Sequence, residues 1–181
     1  MGHEYTDEGY VIKLYDLSDT SLIVYLFLRS SGVVKVTAKG AKSAKSPFAG
    51  TLELFNAVQV LFKPSRGESD LHSLREVSVI SRPEGLRASY DRLLMGSYFS
   101  ALIEAWVETN QDVEPIYDLF ARALDYANTG AGEWKGVTYF EAELSRLLGY
   151  STRAEEVRKL YQLNERLRKL RDKLQKVIEE S

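Results

Sequence analysis

Cysteine is absent from all 181 residues. That excludes a disulfide framework, thiolate catalysis and any cysteine-ligated zinc or iron–sulfur site. Histidine is nearly as scarce: His3 and His72 are the only two. Two are too few for a histidine-rich metal centre, so no metal or other cofactor is expected. No run approaches the roughly 18 apolar residues of a membrane-spanning helix. The opening MGHEYTDEG is acidic and lacks an apolar core, so it does not read as a signal peptide. A cytoplasmic location is expected. The phosphate-loop, dinucleotide, nucleophile-elbow and zinc-protease motifs are all missing. Ser73 follows His72, but neighbouring strand residues point to opposite faces, so the two are not a nucleophile–base pair. His72 reads as a structural strand residue. The carboxylates Asp19, Glu53, Glu68, Asp70 and Glu76 are scattered and read as solvated. An enzyme is not expected.

What is present is an ordinary globular composition, 44% hydrophobic and 28% charged. The charge is unevenly distributed. Residues 1–81 carry 9 Lys+Arg against 9 Asp+Glu, residues 82–152 carry 6 against 11, and residues 153–181 carry 9 against 6. Positive charge gathers between Arg29 and Lys45 and again in the C-terminal stretch.

The hydrophobic period is 2 in the first half. Tyr10 to Asp16, Ser21 to Arg29, Val33 to Lys39, Leu52 to Lys63 and Leu71 to Ile80 read as strands, separated by short turns. The last of these turns is Pro64-Ser65-Arg66-Gly67. Five strands with no helix between them predict a small antiparallel barrel over residues 1–81.

The period then changes to 3.6, and residues 82–181 predict a helical domain. Leu86 to Val107 places Leu93, Leu94, Tyr98, Ala101, Leu102 and Ala105 on one face, and Asn110 to Asp112 breaks it. A second helix opens at Glu114-Pro115, with Ile116, Leu119, Phe120, Ala123 and Leu124 as its stripe. A third runs from Trp134 to Leu148, with Phe140, Leu144, Leu147 and Leu148 inward and Gly149 at its C-cap. A long last helix, about 152–178, carries Leu160, Leu163, Leu167, Leu170, Leu174 and Val177 at spacings of 3, 4, 3, 4 and 3. That narrow seam serves either a helix folded back on its own domain or a coiled coil with another copy or a partner.

Two features carry candidate chemistry. The first is the loop KGAKSAKSPFAG, in which Lys39, Lys42 and Lys45 stand with no acidic residue. It reads as a flexible basic loop that holds phosphates, or as a plain solvated loop. The second is an outward strand face. Ile23, Tyr25, Phe27 and Arg29 alternate with core positions on the second strand. Lys13 and Tyr15 do so on the first, and Lys35 and Lys39 on the third. If those faces adjoin, aromatics interleave with cations, a surface suited to single-stranded nucleic acid. The alternative is that Ile23, Tyr25 and Phe27 pack beneath the helical segment. The candidate nucleic-acid-binding set is Lys13, Tyr15, Arg29, Lys35, Lys39, Lys42, Lys45 and Arg66.

The run TSLIVYLFLRSSGVVKVTAKGAKSAKSPFAGTLELFNAVQVLF, followed by GESDLHSLREVSVI, resembles the N-terminal domain of the bacterial recombination mediator family RecO. Members carry a K-G-[AV]-[RK]-x-x-[RK]-S-x-[FL]-x-[GA] loop, then L-E-x-F, then a D-L-x-x-[LI]-x-[ED] strand. Here these are Lys39, Gly40, Ala41, Lys42, Lys45, Ser46, Phe48 and Gly50, then Leu52, Glu53 and Phe55, then Asp70, Leu71, Leu74 and Glu76. PIYDLFARALDYA and YFEAELSRLLGY resemble the second and third helices of the family's helical domain.

The resemblance implies an α+β protein with an OB-fold barrel followed by helices. It implies a non-enzymatic, nucleoid-associated protein that binds single- and double-stranded DNA and anneals complementary strands. The implied partners are RecR, the single-stranded-DNA-binding protein and, through recombinase loading, RecA. A helical-domain pocket for a partner's acidic tail is also implied. After Tyr150 many members place a four-cysteine zinc module. This chain has the seam helix there instead, which either closes the helical domain or pairs with a second copy. An interaction scaffold acting through that seam, with DNA binding incidental, is the alternative function.

Overall fold

The computed structural model describes residues 3–66, 69–108, 112–130 and 132–180. Gly67, Glu68 and most of the predicted break at 110–112 lie outside the described residues. Cα packing separates two units: Met1–Arg82 with Val107–Val113, and Pro83–Trp106 with Glu114–Ser181.

The first unit is built from β1 (Tyr5–Asp16), β2 (Leu22–Leu28), β3 (Gly32–Ala38), β4 (Ala57–Lys63) and β5 (Leu71–Ser81). They close a barrel in the order β1-β2-β3-β5-β4, an OB-fold barrel. Period-2 alternation puts Val24, Leu26, Val34, Val36, Val58, Val60, Phe62 and Leu74 inside. One seam departs from the expected antiparallel barrel, because β3 and β5 run parallel.

β1 starts five residues earlier than its apolar pattern suggests. Its first half pairs with β4 and its second with β2. Gly9 sits where the strand serves both neighbours. A Cβ there would lie 2.1 Å from the Phe27 carbonyl oxygen, so no side chain fits.

β4 is shorter than the predicted strand from Leu52. Residues 51–56 form a turn in which Phe55 takes φ +69° and its N–H donates to the Val11 carbonyl at 2.8 Å. The basic loop is likewise not a free strap. Successive turns bond Ala41 N to Ala38 O, Ser43 N to Gly40 O, Ser46 N to Ser43 O and Ala49 N to Ser46 O. Phe48 and Leu52 plug into the barrel core from it.

The helical unit holds α1 (Glu84–Arg87), α2 (Tyr90–Trp106), α3 (Glu114–Thr129), α4 (Trp134–Leu147), α5 (Ala154–Gln162) and α6 (Glu165–Glu179). The predicted first helix is thus two, interrupted at Ala88 and Ser89. α2 is central: Met95, Tyr98, Phe99, Leu102 and Ile103 are buried around most of its circumference. Of its predicted face, Ala105 is exposed and Leu93 only half-buried. Ala123, Leu147 and Leu148 are half-buried as well.

The predicted long C-terminal helix is also two. Asn164 caps α6, its side chain accepting from Leu167 N at 3.1 Å, and Leu163 in the break is 89% exposed. Leu160, Leu167 and Leu174, a strict heptad apart, are buried within the unit, whereas Leu170 and Val177 are half-buried. One column of the seam is therefore spent on the chain's own core. The other lacks Leu163, and no continuous coiled-coil face remains.

Charge closes the unit too. Glu141, 1% exposed, receives Tyr98 OH at 2.6 Å and Arg171 through Nε at 2.5 Å and Nη2 at 2.9 Å. The guanidinium lies 4.1 Å from the Tyr161 ring centroid and 4.8 Å from that of Trp134. Burial and the adjacent Glu141 carboxylate push the Tyr98 phenol far above its ordinary range. Burial works against the Arg171 charge, but its hydrogen bonds and attraction to Glu141 outweigh this and raise its pKa. None of this network was anticipated from the sequence.

Candidate nucleic-acid interface

The outward residues of β1, β2 and β3 do meet. Register sets Lys13 opposite Tyr25 and Tyr25 opposite Lys35, with Tyr15, Ile23 and Thr37 in the next row. A β-bulge makes this possible. Val11 pairs with Leu26 and Lys13 with Tyr25, so Ile12 is the extra residue. Without it the alternation would turn Lys13 and Tyr15 into the barrel.

The Lys13 ammonium lies 4.7 Å from the Tyr15 centroid and 5.2 Å from that of Tyr25. The Lys35 ammonium lies 5.5 Å from Tyr25 on the other side. The two rings meet edge to face at 5.7 Å, and Tyr15 is 44% exposed.

The row is edged by acids. Asp70, just before β5, receives Lys35 Nζ at 2.5 Å, and that hydrogen bond and charge hold its carboxyl below the usual range. Asp16 holds Lys42 at 3.1 Å, and Lys42 also donates to the Ser18 carbonyl. Lys39 and Lys45 are exposed and make no ion pair among the described residues. Arg66 is exposed on the connection that leads to Asp70.

Two of the expected face residues are not part of this surface. Phe27 is fully buried. Val113 and Glu108, within the same unit, approach Gly32 at that end of the sheet. Arg29 lies beyond Phe27, about 13 Å along the strand from Tyr25, and is bound to Glu8 at 2.8 Å. His72 is structural: its Nδ1 accepts from Ser65 N at 3.1 Å and its ring stacks on Phe62. Among the described residues no group of three acidic or histidine side chains could hold a metal ion, and no helix is long and apolar enough to cross a membrane.

These contacts yield readily. An exposed cation–π contact is worth about 0.5–1 kcal/mol, and an exposed ion pair about 0–1 kcal/mol. Stacking a base on an aromatic ring is worth about 1–3 kcal/mol. Contacts of this size are ones that a competing anion or a stacked ring can replace.

A second site lies between α3 and α4. Leu119, Tyr126, Gly136 and Phe140 line an apolar groove of about 460 Å³ with Arg122 and Lys135 at its edge. Gly136 is required there, because a Cβ would fall 2.3 Å from the Tyr126 ring. The sequence pattern pointed only to Leu119, Ala123 and Phe140, as core residues; helical spacing does not reveal a groove.

A family model described as "Recombination protein O N terminal" matches residues 1–83, and one described as "Recombination protein O C terminal" matches residues 87–156. The DNA repair protein RecO of Rhodopirellula baltica is 30% identical over 141 residues, 78% of this chain and 52% of that protein. That of Idiomarina loihiensis is 31% identical over 139 residues, 77% of this chain and 58% of that protein. That of Koribacter versatilis is 28% identical over 143 residues, 79% and 58%. The chain spans about half the length of the curated relatives it matches.

Proposed function

The chain belongs to the RecO family of recombination proteins, and on that premise we propose that it is a non-enzymatic DNA repair protein that binds single-stranded DNA across the β1–β2–β3 face. The observation that carries this reading is the Lys13–Tyr25–Lys35 row, where register, ring and charge coincide on three adjacent strands. Bases stack on Tyr15 and Tyr25. Lys13 and Lys35 move from the rings to phosphates, and Lys39, Lys42, Lys45 and Arg66 extend the track. Duplex binding follows from the same lysines, because phosphate contact carries no strand preference.

Annealing, recombinase loading and the partners RecR and RecA belong to this proposal through the family. So does the single-stranded-DNA-binding protein, whose acidic tail suits the α3–α4 groove: an apolar floor for a terminal side chain, with Arg122 and Lys135 for carboxylates.

The test is a salt titration of binding to fluorescent oligo-dT. The six cations of this track give a slope of log K on log salt of about -4. The double substitution K13A/K35A should lower affinity and flatten the slope by about 1.4 while leaving the melting curve unchanged. Unaltered affinity and slope in that variant would remove the barrel face from the reading.

A further inference from the structure

α6 and the end of α5 lie beyond residue 156, outside both family matches. Almost all of the basic C-terminal stretch therefore lies outside both matches. α6 runs antiparallel along α2. Arg166 meets Glu104 near the end of α2 at 3.1 Å, and the Lys173 ammonium lies 5.3 Å from the ring of Tyr90 at its start. Leu167, Arg171 and Leu174 are committed inward. On the outer side an open groove of about 620 Å³ is lined by Ser97, Glu165, Arg166, Lys169, Leu170 and Lys173.

Arg166, Lys169, Lys173 and Lys176 follow one another at spacings of 3, 4 and 3, so they share a helix face over about 15 Å. Glu165 holds Lys169 at 2.6 Å, an exposed pair that a polyanion displaces easily. Lys173 and Lys176 make no ion pair among the described residues. Tyr90 is 52% exposed. An exposed tyrosine with a lysine over its ring, beside further cations, is the chemistry that the barrel presents at Tyr15.

We propose that the α2–α6 groove is a second nucleic-acid site. Arg166, Lys169, Lys173 and Lys176 take the phosphates of a single strand, and Tyr90 stacks a base. The inference rests on the barrel reading only for the choice of ligand; the two sites share no residue. A second site gives one chain the means to hold two strands. An acidic protein is the rival occupant, but the flat ring under Lys173 repeats the ring-and-lysine pairing that suits a stacked base beside its phosphate.

The experiment titrates the full chain with dT oligonucleotides of about eight nucleotides, within the site size of one OB fold, and counts strands per chain by native mass spectrometry. Two strands are expected for the unaltered chain. With K173A/K176A or Y90A the first strand should bind unchanged, and the second about tenfold more weakly. K13A/K35A should retain the groove strand alone. One strand on the unaltered chain, or two undiminished strands on K173A/K176A, overturns the inference. So does a polyglutamate peptide that competes for the groove where oligo-dT does not. If K13A/K35A instead binds both strands normally, the barrel reading fails and the groove stands.

Discussion

On Lys35, Asp70 occupies the place that a phosphate oxygen would take. The carboxylate holds the ammonium at 2.5 Å, and any strand that claims Lys35 leaves Asp70 facing its backbone. Replacing it by asparagine removes the competitor and the repulsion without touching the barrel core. Asp70→Asn should therefore tighten oligo-dT binding a few-fold. Its salt slope should stay about the same, because Lys35 is counted among the phosphate contacts of the unaltered chain as well. The same titration checks it, and weaker binding would show that Asp70 positions Lys35 rather than masking it. Phe55 shows the limit of residue-level reading. Its pattern says strand, yet it takes a left-handed backbone that costs about 1–3 kcal/mol. Full burial of its ring returns about 1.5–3 kcal/mol, so the cost is met by packing that only the folded barrel provides.

Elements were more legible where one physical rule dominates. Period-2 runs located all five strands, and the glycines and Pro115 marked helix ends. What escaped were features of a single residue set by partners distant in sequence. The Ile12 bulge is fixed by pairing with β2 and the parallel β3–β5 seam by barrel closure. The seam helix failed for a local reason. Leucines at 3 and 4 spacing look continuous, but Asn164 is a good N-cap, and a new helix starts there. Asn164→Ala should cost about 1 kcal/mol, whereas Leu163→Lys should cost almost nothing because its side chain is in solvent. Leu167→Lys would bury an unpaired charge and should release α6. Chemical denaturation of the three variants separates these outcomes. A large loss for Leu163→Lys, or concentration-dependent stability abolished by it, would restore the seam as an interface.

The whole molecule has two cores, one of strands and one of helices, so a single unfolding transition is not assumed. The helical core is held by Glu141, which joins α2, α4 and α6 through Tyr98 and Arg171. Glu141→Gln leaves the Arg171 charge largely buried without its counter-charge. Breaking such a pair costs about 3–5 kcal/mol, a large part of the 5–15 kcal/mol typical of a domain. The helical transition should fall steeply in a calorimetric scan, while the salt slope for the barrel variant series stays as it was. An apolar replacement of the whole network, Y98F/E141M/R171M, removes every group that needs a partner. It should recover most of the loss, because a buried ion pair contributes little net stability once both charges are gone. If the triple variant is no more stable than Glu141→Gln, the network contributes by its geometry. In that case the fixed fork of Arg171 between Tyr161 and Trp134, rather than charge balance, is what seats α6.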